Sequence, residues 1–187
     1  MRLVASLSLP LFGVALAFLG ACTEPVPPSA NGAYDVSFEQ NSANCGQKGH
    51  HGKVGVITES TKTTVAVDGV EGASISCSVA GAGTGPFAVT GQIISGSNVV
   101  TINVPAISST ATAAMPAEGS ASFLSVTSGD TYNSSETTKC AFYFLPGTPQ
   151  AVSAGKIWVS FKCDVIVSPP SECALGESYV LLENCDE

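Results

Sequence analysis

Six cysteines are spread over the chain between positions 45 and 185, and their thiols could form disulfides, bind a metal or take part in redox chemistry. They are Cys45, Cys77, Cys140, Cys163, Cys173 and Cys185. Neighbouring members are at least ten residues apart, so the C-x-x-C pair of thioredoxin-like redox sites and zinc ribbons is missing. An even number of widely spaced cysteines predicts three structural disulfides, whose pairing the spacing leaves open.

His50 and His51 are the only histidines, and they stand together in "CGQKGHHGKVG". Adjacent imidazoles could bind a metal, but neighbouring residues of an extended segment point to opposite sides. No acidic residue or second cysteine follows at the spacing that metal sites use. The pattern therefore predicts a solvated loop and no metal ligands.

Nucleophilic catalysis would need a serine or free cysteine beside a base. The sequence has no G-x-S-x-G elbow, and a catalytic triad could only be built around His50 or His51. Pairs of acids for glycoside cleavage could come from any of the fifteen carboxylates, so their presence decides nothing. We predict a protein that is not an enzyme, with no catalytic residues and no cofactor; a hydrolase built around His50 is the weakest alternative.

Two polar segments and a set of aromatic residues keep a ligand-binding alternative open. "DTYNSSET" carries Asp130, Asn133 and Glu136, and "VDGVEG" carries Asp68 and Glu71, so calcium could bind there, although ordinary turns are favoured. Carbohydrate could stack on exposed aromatic rings. The aromatic candidates are Tyr34, Tyr132, Tyr143 and Trp158.

The N-terminal segment has the features of an export signal. Arg2 precedes an apolar run from Leu3 to Ala21, which ends in small residues and has no basic or aromatic anchor after it. This pattern is typical of a secretory signal that is removed, and not of a transmembrane helix. Residues 1–21 are therefore predicted to be a signal peptide outside the fold.

The end of that segment, Leu19-Gly20-Ala21-Cys22, resembles the lipobox of bacterial lipoproteins. The resemblance implies that Cys22 carries a diacylglyceryl group and, after cleavage, a fatty acid such as palmitate on its amine. Two or more chains anchor a protein stably in a membrane. Thr23 follows, and not the aspartate that commonly retains lipoproteins at the inner membrane, so the resemblance favours the outer membrane.

Composition narrows the set of possible partners. Without residues 1–21 the chain has no arginine, six lysines and fifteen acids, for a net charge of −9. Nucleic acid is excluded as a partner, because its recognition relies on clustered positive charge. Anionic lipid headgroups would repel the same surface. Membrane contact is thus expected through the N-terminal lipid alone, and a protein or glycan partner stays open.

Beyond Cys22 the chain divides into a short stalk and one domain. Residues 22–30 carry the predicted lipid and three prolines, which favour an extended stalk. Residues 31–187 show the period of two that is typical of strands, as in "ASISCSV" with Ile75, Cys77 and Val79 on one face. Segment 106–119 is predicted to be a loop.

Further runs have the same alternation of apolar and polar residues. The residues expected to share a buried face are Val65 and Val67; Phe87, Val89 and Ile93; Val100, Ile102 and Val104; Cys140, Phe142 and Phe144; Ile157, Val159, Phe161, Cys163 and Val165. Many short strands with Gly and Ser turns predict an all-β fold, an antiparallel β-sandwich or small barrel stapled by disulfides. Cys77, Cys140 and Cys163 lie on apolar faces, where we expect bridges between sheets.

Two stretches, "VAVDGVEGASISCSVAG" and "KIWVSFKC", resemble the mycobacterial lipoprotein antigen family of acylated β-proteins. That resemblance implies a Cys77–Cys163 bond.

In the tail, Cys173 and Cys185 flank the apolar "YVLL", which favours a local clip around a final strand; the alternative is one bond from each cysteine back to the domain. Taken together, the sequence predicts a non-catalytic lipoprotein of the bacterial cell envelope.

Overall fold

The computed structural model describes residues 27–40, 44–124 and 126–187. The predicted signal peptide and Cys22 lie outside these ranges. Within them every regular element is a β-strand. The all-β prediction is confirmed.

The strands have between two and thirteen residues, and the two longest come last. The first seven are β1 (Asn31–Ser37), β2 (His51–Val54), β3 (Val56–Ile57), β4 (Lys62–Thr64), β5 (Ala66–Val67), β6 (Ala73–Ala80) and β7 (Phe87–Ser95). The others are β8 (Asn98–Ile107), β9 (Ala117–Leu124), β10 (Thr131–Asn133), β11 (Cys140–Tyr143), β12 (Ala151–Ser153), β13 (Lys156–Ser168) and β14 (Ser171–Glu183).

Twelve of these strands form one antiparallel sheet in the order β2-β1-β14-β13-β10-β9-β8-β7-β6, with β5, β11 and β12 as side branches. The sheet folds over on itself, as in a sandwich. A Cβ added at Gly91 on β7 would meet the side chain of Leu182 on β14, and one at Gly32 on β1 would meet Ile93 on β7. The apolar core fills the space between these two halves.

The strands β6, β7 and β8 follow the predicted alternation. Ile75, Val79, Phe87, Val89, Ile93, Val100, Ile102 and Val104 are all buried. The residues between them are mostly polar and face outward. These three strands therefore bury one face and expose the other, which is what a period of two indicates.

The long hairpin of β13 and β14 buries both faces instead. Ile157, Val159 and Phe161 face the main core as predicted, while Trp158 and Ser160, on the opposite face, are also buried. Irregular pairing on either side of Cys163 changes the alternation. As a result Ile166 is fully buried and Val165 only partly, so the prediction for Val165 was wrong. A β-bulge adds an unpaired residue and turns the following side chains over.

The second face of this hairpin is covered by a separate two-stranded sheet, β3 with β4. Ile57 from that sheet packs with Ala33, Trp158 and Leu181 in a small second cluster. The predicted strand through Val65 and Val67 is divided between β4 and β5, and both valines are only partly buried. Strands of two or three residues are too short to show a regular alternation of apolar and polar side chains.

The predicted loop at 106–119 is shorter than expected. β8 continues to Ile107 and β9 begins at Ala117, so residues 108–116 connect them, with one bridge between Thr112 and Met115. The alanines in this segment gave no sign that β8 ends there or that β9 begins there. Pairing with neighbouring strands determines these ends.

Candidate functional site

All six cysteines of the domain are paired in three disulfides. The bonds join Cys45 to Cys173, Cys77 to Cys185, and Cys140 to Cys163. The predicted three disulfides are thus present, but both specific pairings are wrong.

The tail clip between Cys173 and Cys185 does not form, because β14 is too long. Cys173 lies near the start of that strand and Cys185 just past its end. Twelve residues of extended chain span about 40 Å, whereas bridged Cα atoms lie about 5 to 6 Å apart. Each cysteine instead bonds back to the domain, which was the alternative.

The Cys77–Cys163 bond implied by the antigen-family resemblance is also absent. Cys163 on β13 bonds to Cys140 on the neighbouring strand β11, where the register continues from the pair Ala141 and Lys162. Their Cα atoms are 4.2 Å apart. This bond therefore lies within the sheet and does not join two layers, although both cysteines are on an apolar face as predicted.

His51 is placed on the exposed side of β2, where its Nε2 contacts the carboxylate of Asp35 on β1. The two strands pair with Ser37 opposite His51, so the contact runs along the outer face. Asp35 lies 16 residues before His51 along the chain, so the sequence pattern around the histidines did not predict this contact. The alternation of "AYDVS" does place Asp35 on the face opposite Tyr34 and Val36, which is the signal that could have revealed it.

His50 lies in the predicted loop just before β2, but its side chain is only partly exposed and is not freely solvated; His51 is exposed as predicted, although it lies on β2 and not in the loop. Its ring lies 5.9 Å from the ring of Phe38 and 6.3 Å from that of Phe123. Nδ1 is 3.3 Å from the hydroxyl of Thr127, and the buried Nε2 has no partner among the described residues. Burial, and secondarily the charge of His51, lowers the pKa of His50.

The four aromatic candidates for sugar stacking are inside the protein. Tyr34, Tyr132, Tyr143 and Trp158 are between 0 and 7 % exposed. A carbohydrate platform needs ring faces open to solvent. These four residues do not provide one.

Of the two acidic segments, "VDGVEG" forms a turn after β5, whereas "DTYNSSET" contains the short strand β10. Asp130, Asn133 and Glu136 are exposed. Asp68 uses a carboxylate oxygen to accept the backbone N–H of Ile75 at 2.8 Å, and Glu71 has a left-handed backbone with φ of 51°. In the ranges that the structure describes, no three histidine, cysteine, aspartate or glutamate side chains converge as metal ligands.

A row of polar side chains crosses the second face of the β13–β14 hairpin, the face that the β3–β4 sheet covers in part. The sequence did not predict this row. Tyr143, Ser160, Tyr179 and Asp35 are consecutive partners across β11, β13, β14 and β1. The Tyr143 hydroxyl donates to Glu177 at 2.9 Å. Because the members come from four distant segments, only the register reveals them.

The electrostatics of this row keep its tyrosines protonated. Burial, and then the hydrogen bond to Glu177, raises the pKa of Tyr143. Burial and the nearby carboxylates of Glu177, Glu59 and Asp35 raise the pKa of Tyr179 to about 12. Both phenols therefore stay neutral at physiological pH, and the hydroxyl of Tyr143 donates to Glu177.

An open groove of about 890 Å³ lies where residues 27–30 join the domain. Its walls include Pro28, Lys156, Asp186 and the Cys77–Cys185 disulfide. The described end of the predicted stalk is fastened here, because Asn184 donates to the carbonyl of Ser29 at 3.0 Å. The groove is thus bordered by both ends of the described chain.

No family profile, no curated protein and no solved structure matches the chain. In the described ranges, no helix has the length and apolar character needed to cross a bilayer.

Proposed function

We propose that the chain is a lipid-anchored, non-catalytic protein of the bacterial cell envelope that serves as an interaction module, held at the outer membrane through acylated Cys22. The observation that carries the proposal is Leu19-Gly20-Ala21-Cys22 at the end of an apolar leader, followed at once by the proline-rich stalk. The two or three acyl chains that this motif implies anchor a protein stably.

The oxidation state of the domain supports export. All six cysteines after Cys22 are in disulfides, and such bonds persist in the periplasm and at cell surfaces but are rare in the cytosol. The two most buried bonds enclose cysteines that are at most 5 % exposed. They belong to the core and are unsuited to a catalytic redox cycle, which needs an accessible sulfur.

The arrangement of the histidines supports a role without catalysis. Acyl transfer needs one imidazole between a carboxylate and a hydroxyl. Here the carboxylate of Asp35 contacts His51, whereas the hydroxyl of Thr127 contacts His50. The carboxylate and hydroxyl contacts of a triad are thus divided between two imidazoles, which supports a role without acyl transfer.

Lipidation is tested by growing cells that express the full chain with an alkyne analogue of palmitate. The wild-type protein should incorporate the label and remain with the membrane fraction. Cys22→Ser should lose both properties, because it removes the sulfur that accepts the diacylglyceryl group. The double variant Cys77→Ser/Cys185→Ser is the matched control and should keep the label. Equal labelling of the Cys22→Ser protein would refute the proposal.

The choice of membrane is tested separately in a Gram-negative host by density-gradient separation of inner and outer membranes. The wild-type protein should sediment with the outer membrane. Thr23→Asp introduces the residue that commonly causes retention, so this variant should move to the inner membrane. Wild-type protein in the inner-membrane fraction would contradict the location while leaving lipidation intact.

A further inference from the structure

The last four residues form a separate structural unit, which we call the C-terminal strap (residues 184–187). Asn184 has a left-handed backbone, with φ of 56°, and turns the chain away from the end of β14. Beyond it the strap runs alongside β6, where Ser78 and Asp186 form a parallel bridge. Three of the four strap residues are exposed, so little burial holds the strap in place.

The strap covers the free edge of the sheet. β6 is the last strand in the sheet order, and an edge strand presents unpaired N–H and C=O groups. Val79 N–H donates to the carbonyl of Asp186 at 2.8 Å, and Asp186 N–H donates to the carbonyl of Cys77 at 3.0 Å. Gly155 completes the cover by donating to the carbonyl of Val79 at 3.0 Å.

A single covalent bond fastens the strap to this edge, the disulfide between Cys77 on β6 and Cys185. The three disulfides differ in their accessibility. Cys45, Cys173, Cys140 and Cys163 are between 0 and 5 % exposed. Cys77 and Cys185 are partly exposed, and both line the open groove.

We propose that the Cys77–Cys185 disulfide is a redox-sensitive latch, which a small dithiol reduces before the other two bonds, and that its reduction releases the C-terminal strap from the β6 edge. A thiolate of the dithiol attacks one sulfur of the bond, and its second thiol resolves the mixed disulfide. The reductant leaves as a disulfide, and its two electrons and two protons convert Cys77 and Cys185 to thiols.

The strap is expected to leave the β6 edge after reduction, because few other contacts hold it there. After the bond is cleaved, the strap keeps only its backbone hydrogen bonds to Cys77, Val79 and Gly155 and the exposed contact of Asn184 with Ser29. Segments of this kind open locally at low free-energy cost. The uncovered groups of Val79 and Cys77 are of the type to which an extended polypeptide adds as a further strand.

The order of reduction is measured on the purified acylated chain in detergent, with increasing dithiothreitol followed by alkylation and peptide mass spectrometry. Alkylation should appear at Cys77 and Cys185 while the other two disulfides stay intact. Simultaneous reduction of all three, or earlier reduction of either buried bond, overturns the latch.

Release is measured by amide-resolved hydrogen exchange on the partly reduced chain. The amides of Val79 and Asp186 should exchange about tenfold faster or more, because the cross-link no longer limits opening. Ile75 is the internal control, since its N–H on the same edge is held by Asp68 and not by the strap. Unchanged exchange at Val79 after the bond is cleaved overturns the release step.

A variant separates release from the chemistry of the reductant. Cys77→Ser/Cys185→Ser should show the fast exchange at Val79 without any reductant, and its two remaining disulfides report that the domain has folded. Slow exchange at Val79 in this folded variant would show that hydrogen bonds alone hold the strap, which contradicts the latch.

Discussion

The two halves of the sandwich differ in whether their outer faces are covered. The one-sided half, β6 to β8, buries alternate residues and exposes the residues between them. The two-sided half, β1 with β13 and β14, has its outer face covered as well, in part by the small β3–β4 sheet. The difference shows that the alternation of apolar and polar residues predicts the buried side chains where one face of a sheet is covered, and fails where both faces are covered. Burial, and not strand geometry, sets the pattern.

The largest expected effect comes from removing the side chain of Trp158, which is buried because the outer face of the two-sided half is covered. Trp158 is 7 % exposed although it faces away from the main core. Trp158→Ala should lower the free energy of unfolding by about 3 to 5 kcal/mol, as measured by urea denaturation. Thr90→Ala, on the exposed face of β7, is the control and should change it by less than about 1 kcal/mol. Equal effects would mean that the outer cover contributes nothing.

The contact between the halves can be tested at Gly91. A Cβ there meets the fully buried side chain of Leu182, so Gly91→Ala should cost about 1 to 3 kcal/mol through overpacking. Leu182→Ala opens the space, so the double variant should be less destabilised than the two single costs combined. Additive costs in thermal or urea unfolding would place the strain elsewhere.

A smaller effect is expected where the cover is joined to the two-sided half. Glu183 on β14 binds Lys62 of β4 at 2.7 Å and Lys156 of β13 at 2.7 Å. Burial opposes ionisation of Glu183, but the hydrogen bonds from Lys156 and Lys62 outweigh it and lower its pKa. Glu183→Gln should cost about 1 kcal/mol or less, and high salt should reduce that cost.

The pH dependence of this effect has a defined sign. Because the folded-state pKa of Glu183 is lowered, its contribution is present above the unfolded value of about 4.3 and is lost as pH falls through the folded value. The difference between wild type and Glu183→Gln should therefore vanish in acid. Glu118→Gln, whose partner Lys139 is exposed, serves as the control and should show no measurable cost at any pH. A cost for Glu183→Gln that persists in acid would exclude the ion pairs as its cause.

The smallest effect concerns His50, whose ring lies beside those of Phe38, just after β1, and Phe123 on β9. Its pKa is lowered in the folded state, so the unfolded chain binds the proton more readily. Stability should fall as pH drops below about 6.5, and His50→Gln should remove this part of the fall. Urea midpoints at pH 7.5 and 5.5 measure it; an unchanged pH dependence in the variant would refute the assignment.

The same contrast explains how much of the molecule the sequence revealed. The alternation of Ile75, Val89 and Ile102 predicted buried faces that the structure confirms, and the even cysteine number predicted three bonds. The pairing could not be predicted, since it depends on the length of β14 and on which strands are neighbours. Val165 was misassigned because a bulge beside Cys163 changes the alternation.

The candidate sites were less predictable than the fold. His51 and Asp35, or Tyr143 and Glu177, meet only through strand register, since they lie 16 and 34 residues apart along the chain. The burial of Trp158 likewise depends on a cover supplied by a distant segment. Residue type alone predicted which groups could react, but the topology decides which of them meet.

The central claim is the covalent anchor, and its most direct test is mass spectrometry of the N-terminal peptide of protein isolated from bacterial envelopes. We predict a peptide that begins at Cys22 and carries a diacylglyceryl group on its sulfur and a fatty acid on its amine. A peptide that retains residues 1–21, or that carries Cys22 with an unmodified thiol, would contradict the account.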